Sequence, residues 1–163
     1  MTFEEFAATG MPAVLKFAAV LAGDRVIAED LAQEVLVRAY SRWDKIGCLD
    51  RPEFYVRKMI LNEFLSWRRR SVRHVLPGGA AGEPASTAPD HAHVYAERQA
   101  LLAELGKLPL RQRAVLVLRY YEDRGDAEIA ELLGCTPGTV RGYASRALAA
   151  LRVKMEPRPR ARA

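Results

Sequence analysis

Residues 126–152, DAEIAELLGCTPGTVRGYASRALAALR, constrain the fold of this chain more than any other segment. They read as two short helices joined by a tight turn. Ile129, Ala130, Leu132 and Leu133 give the first helix an apolar face. Gly134 ends it, because glycine tolerates the left-handed conformation that a helix end often needs. Thr136 is placed to cap the next helix. Pro137 suits that helix's first turn, where its missing N–H has no partner anyway. The second helix turns Val140, Ala144, Ala147, Leu148 and Leu151 inward, leaving Arg141, Tyr143, Ser145 and Arg146 on other sides. This pattern is a helix-turn-helix, whose second helix can enter a DNA major groove. A plain helical hairpin with a solvated basic face shares the apolar spacing. The glycine, the cap and the basic second helix together favour the DNA-binding form.

Almost every other periodic segment is also helical, and none shows the two-residue alternation of a strand. Pro12 opens PAVLKFAAVLA, which Gly23 closes. Asp24 caps a longer helix running to about Trp43, with Ile27, Leu31, Val35 and Ala39 marking its core face. Asp50 and Pro52 start a third, PEFYVRKMILNEFLSWRRR, with Phe54, Val56, Ile60, Leu61, Phe64 and Leu65 on its apolar side. The composition then shifts. Residues 74–93, HVLPGGAAGEPASTAPDHAH, combine small residues and prolines without an apolar period. Such a stretch cannot bury enough surface to offset the entropy of ordering it, and reads as a flexible linker. Beyond it come ERQALLAELGKL and, opened by Pro109, LRQRAVLVLRYYE. The expected fold is all-α: two small helical domains, residues 1–73 and 94–155, joined by a flexible linker, the second containing the helix-turn-helix. Residues 156–163 read as a disordered basic tail.

The net charge of +5 and a pI near 9.5 suit a polyanionic partner. The distribution says more. Between residues 57 and 73 lie Arg57, Lys58, Arg68, Arg69, Arg70 and Arg73 against the single acid Glu63, whereas residues 29–34 are acidic. Different surfaces for different partners follow. Cys48 and Cys135 form no CxxC pair, and His74, His91 and His93 all fall in or beside the linker. No metal or other cofactor is therefore expected. A Gly-rich phosphate loop and a nucleophile triad are also missing, so the chain does not read as an enzyme. The start MTFEEFAATG lacks the basic, then apolar, pattern of a secretion signal. The apolar stretches are too short or too interrupted to cross a membrane, and the cysteine usage fits a reducing cytoplasm.

Four blocks then meet a known pattern in order and spacing: AEDLAQEVLVRAYSRW (28–43), PEFYVRKMILNEFLSWRRR (52–70), LPLRQRAVLVLRYYED (108–123) and EIAELLGCTPGTVRGYASRALAALR (128–152). The chain closely resembles the extracytoplasmic-function (ECF) sigma factors of bacterial RNA polymerase, most of all the short actinobacterial type labelled the SigE family. The resemblance covers nearly everything outside the linker. It implies a dissociable, non-catalytic subunit that gives polymerase its promoter specificity. The first domain would bind the polymerase clamp and melt and read the promoter −10 element. The second would read the −35 element and contact the polymerase flap, with the linker threading between them. The implied partners are the polymerase core and promoter DNA, and the family also admits an anti-sigma factor. A stand-alone helix-turn-helix regulator is the alternative; it needs neither of the two surfaces described next.

Asp30, Gln33 and Glu34 form one acidic, hydrogen-bonding helix face opposite Leu31 and Val35, and the resemblance assigns it to the clamp. Tyr55, Arg57, Lys58, Trp67, Arg68, Arg69 and Arg70 mix aromatics with cations, as melted single-stranded DNA requires. Core packing is the other reading of Tyr55 and Trp67. Asn62 stands where the family captures a flipped −10 base, and an amide can both donate to and accept from a base edge. Arg141 and Arg146 match basic family positions. Either could pair bidentately with guanine or clamp a phosphate. Tyr143 stands where many members carry a basic residue. Thr139 could bond a phosphate or cap its own helix. Ser145 completes the candidate −35 set.

Overall fold

The computed structural model describes residues 1–71 and 89–155, with side chains described over residues 1–66 and 94–152. All described secondary structure is helical, and no strand occurs among the described residues. The chain forms two compact units, Met1–Ala96 and Glu97–Ala163.

The first unit contains α1 (Phe3–Thr9), α2 (Met11–Ala22), α3 (Arg25–Tyr40), α4 (Trp43–Ile46) and α5 (Pro52–Ser71). Local chemistry sets most of the ends. Gly23 closes α2 in the left-handed conformation, with φ 67°, and the Asp24 carboxylate caps α3 by accepting from the Ile27 N–H at 3.0 Å. Helices α2, α3 and α5 pack on one another around Val14, Phe17, Leu21, Leu31, Val35, Val56, Ile60, Leu61 and Phe64. Ile27, Phe54 and Leu65, read as core, are only half-buried.

Helix α1 was not apparent from periodicity. A capping box starts it: the Thr2 hydroxyl accepts from the Glu5 N–H, and the Glu5 carboxylate accepts from the Thr2 N–H at 2.7 Å. Phe3 and Phe6 then pack against Trp43, with ring centroids 5.2 and 4.8 Å away. The Trp43 indole N–H donates to the Met1 carbonyl at 3.0 Å. Because Trp43 turns inward to make this cluster, α3 stops at Tyr40 and does not run on to Trp43 as its sequence suggests. No single described helix is long and apolar enough to cross a membrane. Of the apolar residues of α1 and α2, Phe6, Val14, Phe17 and Leu21 are buried within the unit.

Helix α6 (Pro89–Gly106) spans the boundary between the units. It begins inside the stretch read above as linker, so residues 89–93 are helical. Proline at the first position and Asp90 in the first turn both suit a helix start. The rest of that stretch, residues 74–88, and the tail 156–163 lie outside the described residues.

The second unit continues with α7 (Leu110–Leu116), a π-helical turn (Val117–Tyr121), α8 (Asp126–Leu133) and α9 (Pro137–Met155). Sequence periodicity predicted one regular helix over residues 110–122. Instead the Glu122 N–H reaches back five residues to the Val117 carbonyl at 3.1 Å. All six residues from Arg113 to Leu118 are buried, more than one face of a regular helix can turn inward. Burial without matching solvation pushes the Arg113 guanidinium down to about 10. Leu108, Leu116, Ala147 and Leu151 form a core cluster that seats α7 against α9, with Leu105 and Leu148 at its edge.

Candidate nucleic-acid interface

The helix-turn-helix is built as the sequence dictates. Gly134, at φ 63°, closes α8: its N–H donates to the Glu131 carbonyl, and the Cys135 N–H reaches the Ala130 carbonyl at 3.0 Å. Thr136 caps α9 by accepting from the Thr139 N–H at 3.2 Å. Ile129, Ala130, Leu132, Leu133, Val140, Ala144, Ala147 and Leu151 are buried between the two helices and α7, and Leu148 is half-buried.

That core leaves one face of α9 outward. Arg141, Ser145 and Arg146 are exposed on it, with Gly138 and Gly142 between them. Both arginines lean back over a glycine one turn earlier. A Cβ on Gly138 would lie 3.8 Å from an Arg141 nitrogen, and one on Gly142 would lie 3.7 Å from an Arg146 nitrogen. Tyr143 is half-buried and carries the Arg146 guanidinium 5.4 Å from its ring centroid. The Thr139 hydroxyl lies 2.9 Å from the Thr136 hydroxyl that caps the helix.

On α5, Tyr55, Lys58 and Asn62 follow one another at helical spacing on one side. Tyr55 and Asn62 are exposed and Lys58 is half-buried. Arg57 does not join them. It falls on the arc between Phe64 and Leu61, both buried, and its stem is partly covered there. The side chains of Trp67, Arg68, Arg69 and Arg70 lie outside the described residues, although the α5 backbone continues through them.

On α3, Asp30, Gln33 and Glu34 are all exposed. Beside them runs an apolar groove of about 530 Å³, lined by Phe3, Met11, Leu15, Leu36, Val37 and Tyr40, with Glu29 and Gln33 at its rim. These apolar residues did not emerge from the sequence. The available signal was Val37 and Tyr40, which stand off the Leu31, Val35, Ala39 stripe and are 64% and 63% exposed. Among the described residues, no group of three or more His, Cys, Asp or Glu side chains is arranged to hold a metal ion.

Residues 7–74 match the family described as Sigma-70 region 2, and residues 98–151 match Sigma-70, region 4. Over 97% of its length the chain is 36% identical to the RNA polymerase sigma-E factor of Streptomyces avermitilis, covering 87% of that protein. It is 35% identical to the ECF RNA polymerase sigma factor SigL of Mycobacterium tuberculosis over 86% of its own length and 81% of the relative's. The sigma factor RpoE of Bartonella quintana, solved in complex with the anti-sigma factor NepR, shares the fold. The TM-score is 0.74 at 24% identity, over 95% of this chain and 98% of that one. The chain thus belongs to the ECF sigma factors of bacterial RNA polymerase, of the actinobacterial sigma-E type, and directs the core enzyme to specific promoters to initiate transcription.

Proposed function

We propose that the two parts of the chain divide promoter recognition between them. Residues 1–73 bind the polymerase core and melt and read the −10 element, and residues 94–155 read the −35 element as duplex. The observation that carries this assignment is the segregation of solvent-reaching recognition groups, all exposed but the half-buried Lys58. Tyr55, Lys58 and Asn62 share one side of α5, whereas Arg141, Ser145 and Arg146 share the outward face of α9. The first set suits stacking and base-edge bonding to an unpaired strand, and the second suits a major groove. Asp30, Gln33 and Glu34, with the apolar groove at their side, form the polymerase-docking surface. Acids beside an apolar groove fit a basic, partly apolar partner.

The protein acts by binding alone and is not an enzyme; it works in the cytoplasm, with the polymerase. An anti-sigma factor is a further partner, in keeping with the complex formed by the RpoE relative. Run-off transcription with purified core polymerase across a genomic promoter library tests the division of labour. Wild-type protein should give defined start sites. Asp30→Arg with Glu34→Arg should lower core affinity while helicity stays normal. Unchanged core affinity in that double variant overturns the docking assignment.

A further inference from the structure

Arg141 has two ways to meet DNA, a bidentate pair with a guanine edge or a clamp on a phosphate. A carboxylate stands beside it. Asp126 is the first residue of α8, with a side chain only 28% exposed. Its Oδ1 pairs with Nη2 of Arg119, from the π-helical turn. Its Oδ2 lies 3.8 Å from Nη1 of Arg141, on α9. One acid thus stands between cations from two other elements. An acid at the start of α8 is favoured by the helix dipole, and Arg119 satisfies its charge. That structural role accounts for Oδ1 and leaves the contact of Oδ2 with Arg141 unexplained.

In water the Asp126–Arg141 pair contributes little, since the Arg141 side chain is 65% exposed and the charges are screened. Docked DNA changes this balance. It excludes water, and the lower local dielectric strengthens every charge interaction at the contact. A phosphate drawn to Arg141 would approach the Asp126 carboxylate as well, and like charges repel. A guanine edge offers the neutral acceptors O6 and N7 and meets no such repulsion. Arg119 holds the other carboxylate oxygen, so Asp126 keeps its place when Arg141 engages DNA.

We propose that Asp126 is a specificity-determining positioning residue, which aims Arg141 at a base edge and keeps it off the phosphate backbone. The inference rests on the reading of α9 as the helix that enters duplex −35 DNA. It makes the fine specificity of this chain depend on a residue outside the recognition helix.

The test uses full-length protein reconstituted with core polymerase and promoter duplexes randomised over the −35 element. Wild-type protein should prefer G·C at one position by about fivefold or more, the equivalent of about 1 kcal/mol. Arg141→Ala should erase that preference. Asp126→Asn should bring it towards parity while binding all sequences more tightly, with a salt dependence steeper by about one phosphate contact. The double variant should discriminate no worse than Arg141→Ala alone. Asp126→Ser, a second neutral replacement, repeats the measurement if the asparagine variant is unstable. Full preference retained in both Asp126 variants, at the position that Arg141→Ala erases, overturns the positioning role and leaves the reading of α9 intact. An equal loss on all sequences with a lowered thermal midpoint reduces Asp126 to a structural residue and also overturns it. If Arg141→Ala itself changes neither affinity nor preference, the reading of α9 falls and the proposal falls with it.

Discussion

Arg38 on α3 holds the Glu63 carboxylate of α5 at 2.5 Å, and the same guanidinium stands 3.8 Å from Glu34. One side chain therefore ties the acidic face of α3 to the residue that follows Asn62 on α5. The Glu63 side chain is only 7% exposed, so its charge depends on protein partners more than on water. Arg38→Ala should destabilise the first unit by about 1.5–3 kcal/mol, the usual range for a hydrogen bond to a charged group. Arg25→Ala is the control, because the Arg25–Glu29 pair is exposed on both sides and should leave the unfolding midpoint where it was. Urea unfolding of both variants checks the contrast, and equal midpoints for the two would remove Arg38 from the stabilising set.

Gly134 is required by its backbone and not by crowding. Its φ of 63° is left-handed, yet a Cβ there would meet nothing within 4 Å. Gly134→Ala should therefore cost about 1–2 kcal/mol through conformational strain alone. Gly134→Asn should cost less, because asparagine visits this region more readily. Thermal unfolding of the two variants gives the ranking, and an alanine variant as stable as the parent would show that the turn relaxes to another conformation.

These two sites differ in how legible they were from sequence. Gly134, Thr136, Gly23 and Asp24 act on their immediate neighbours, so residue type and spacing sufficed to place helix ends. Leu31, Val35 and Ala39 likewise announced a buried stripe by spacing alone. Helix α1 was harder: Phe3 and Phe6 make too short an apolar period, though Thr2 and Glu5 already spelled a capping box. The π-helical turn has no signature in a 3.6-residue period, because tertiary packing from Arg113 to Leu118 imposes it. Arg57 was grouped with Tyr55 and Lys58 by composition, and only the helical phase of α5 sets it apart from them. The Arg119–Asp126–Arg141 cluster joins residues from three elements, and no local pattern could bring them together.

Gly142 lies in the interior of α9, where glycine weakens a helix. A Cβ there would make only an ordinary contact, 3.7 Å from Arg146. Gly142→Ala should therefore raise the stability of the second unit by about 0.5–1 kcal/mol. Between Arg141, Ser145 and Arg146, a missing side chain would also let bare backbone approach the groove floor if α9 docks as proposed. The same variant should lose affinity for duplex −35 DNA. Calorimetry and duplex titration of one protein sample read both effects. Gained stability with undiminished affinity would show that the backbone of α9 stays clear of the DNA.

Asn62→Ala and Arg141→Ala should fail at different steps. Asn62 is exposed on α5 beside Tyr55 and Lys58, and an amide can bond the edge of an unpaired base. A duplex offers no such edge until it opens. Loss of Asn62 should therefore spare initial duplex binding and weaken the melted complex by about 1 kcal/mol, roughly fivefold. On the proposed division of labour Arg141 meets closed DNA, so its loss should be felt before melting. Footprinting of the holoenzyme on matched templates, one fully duplex and one with a pre-melted −10 bubble, separates the two. The bubble should not restore −35 protection to Arg141→Ala, because the contact proposed for Arg141 lies in duplex DNA. Nor should it fully restore Asn62→Ala, if the proposed contact is made to the unpaired base itself. If Arg141→Ala keeps full −35 protection and the bubble rescues its remaining defect, Arg141 acts in melting and the division between the two units is wrong.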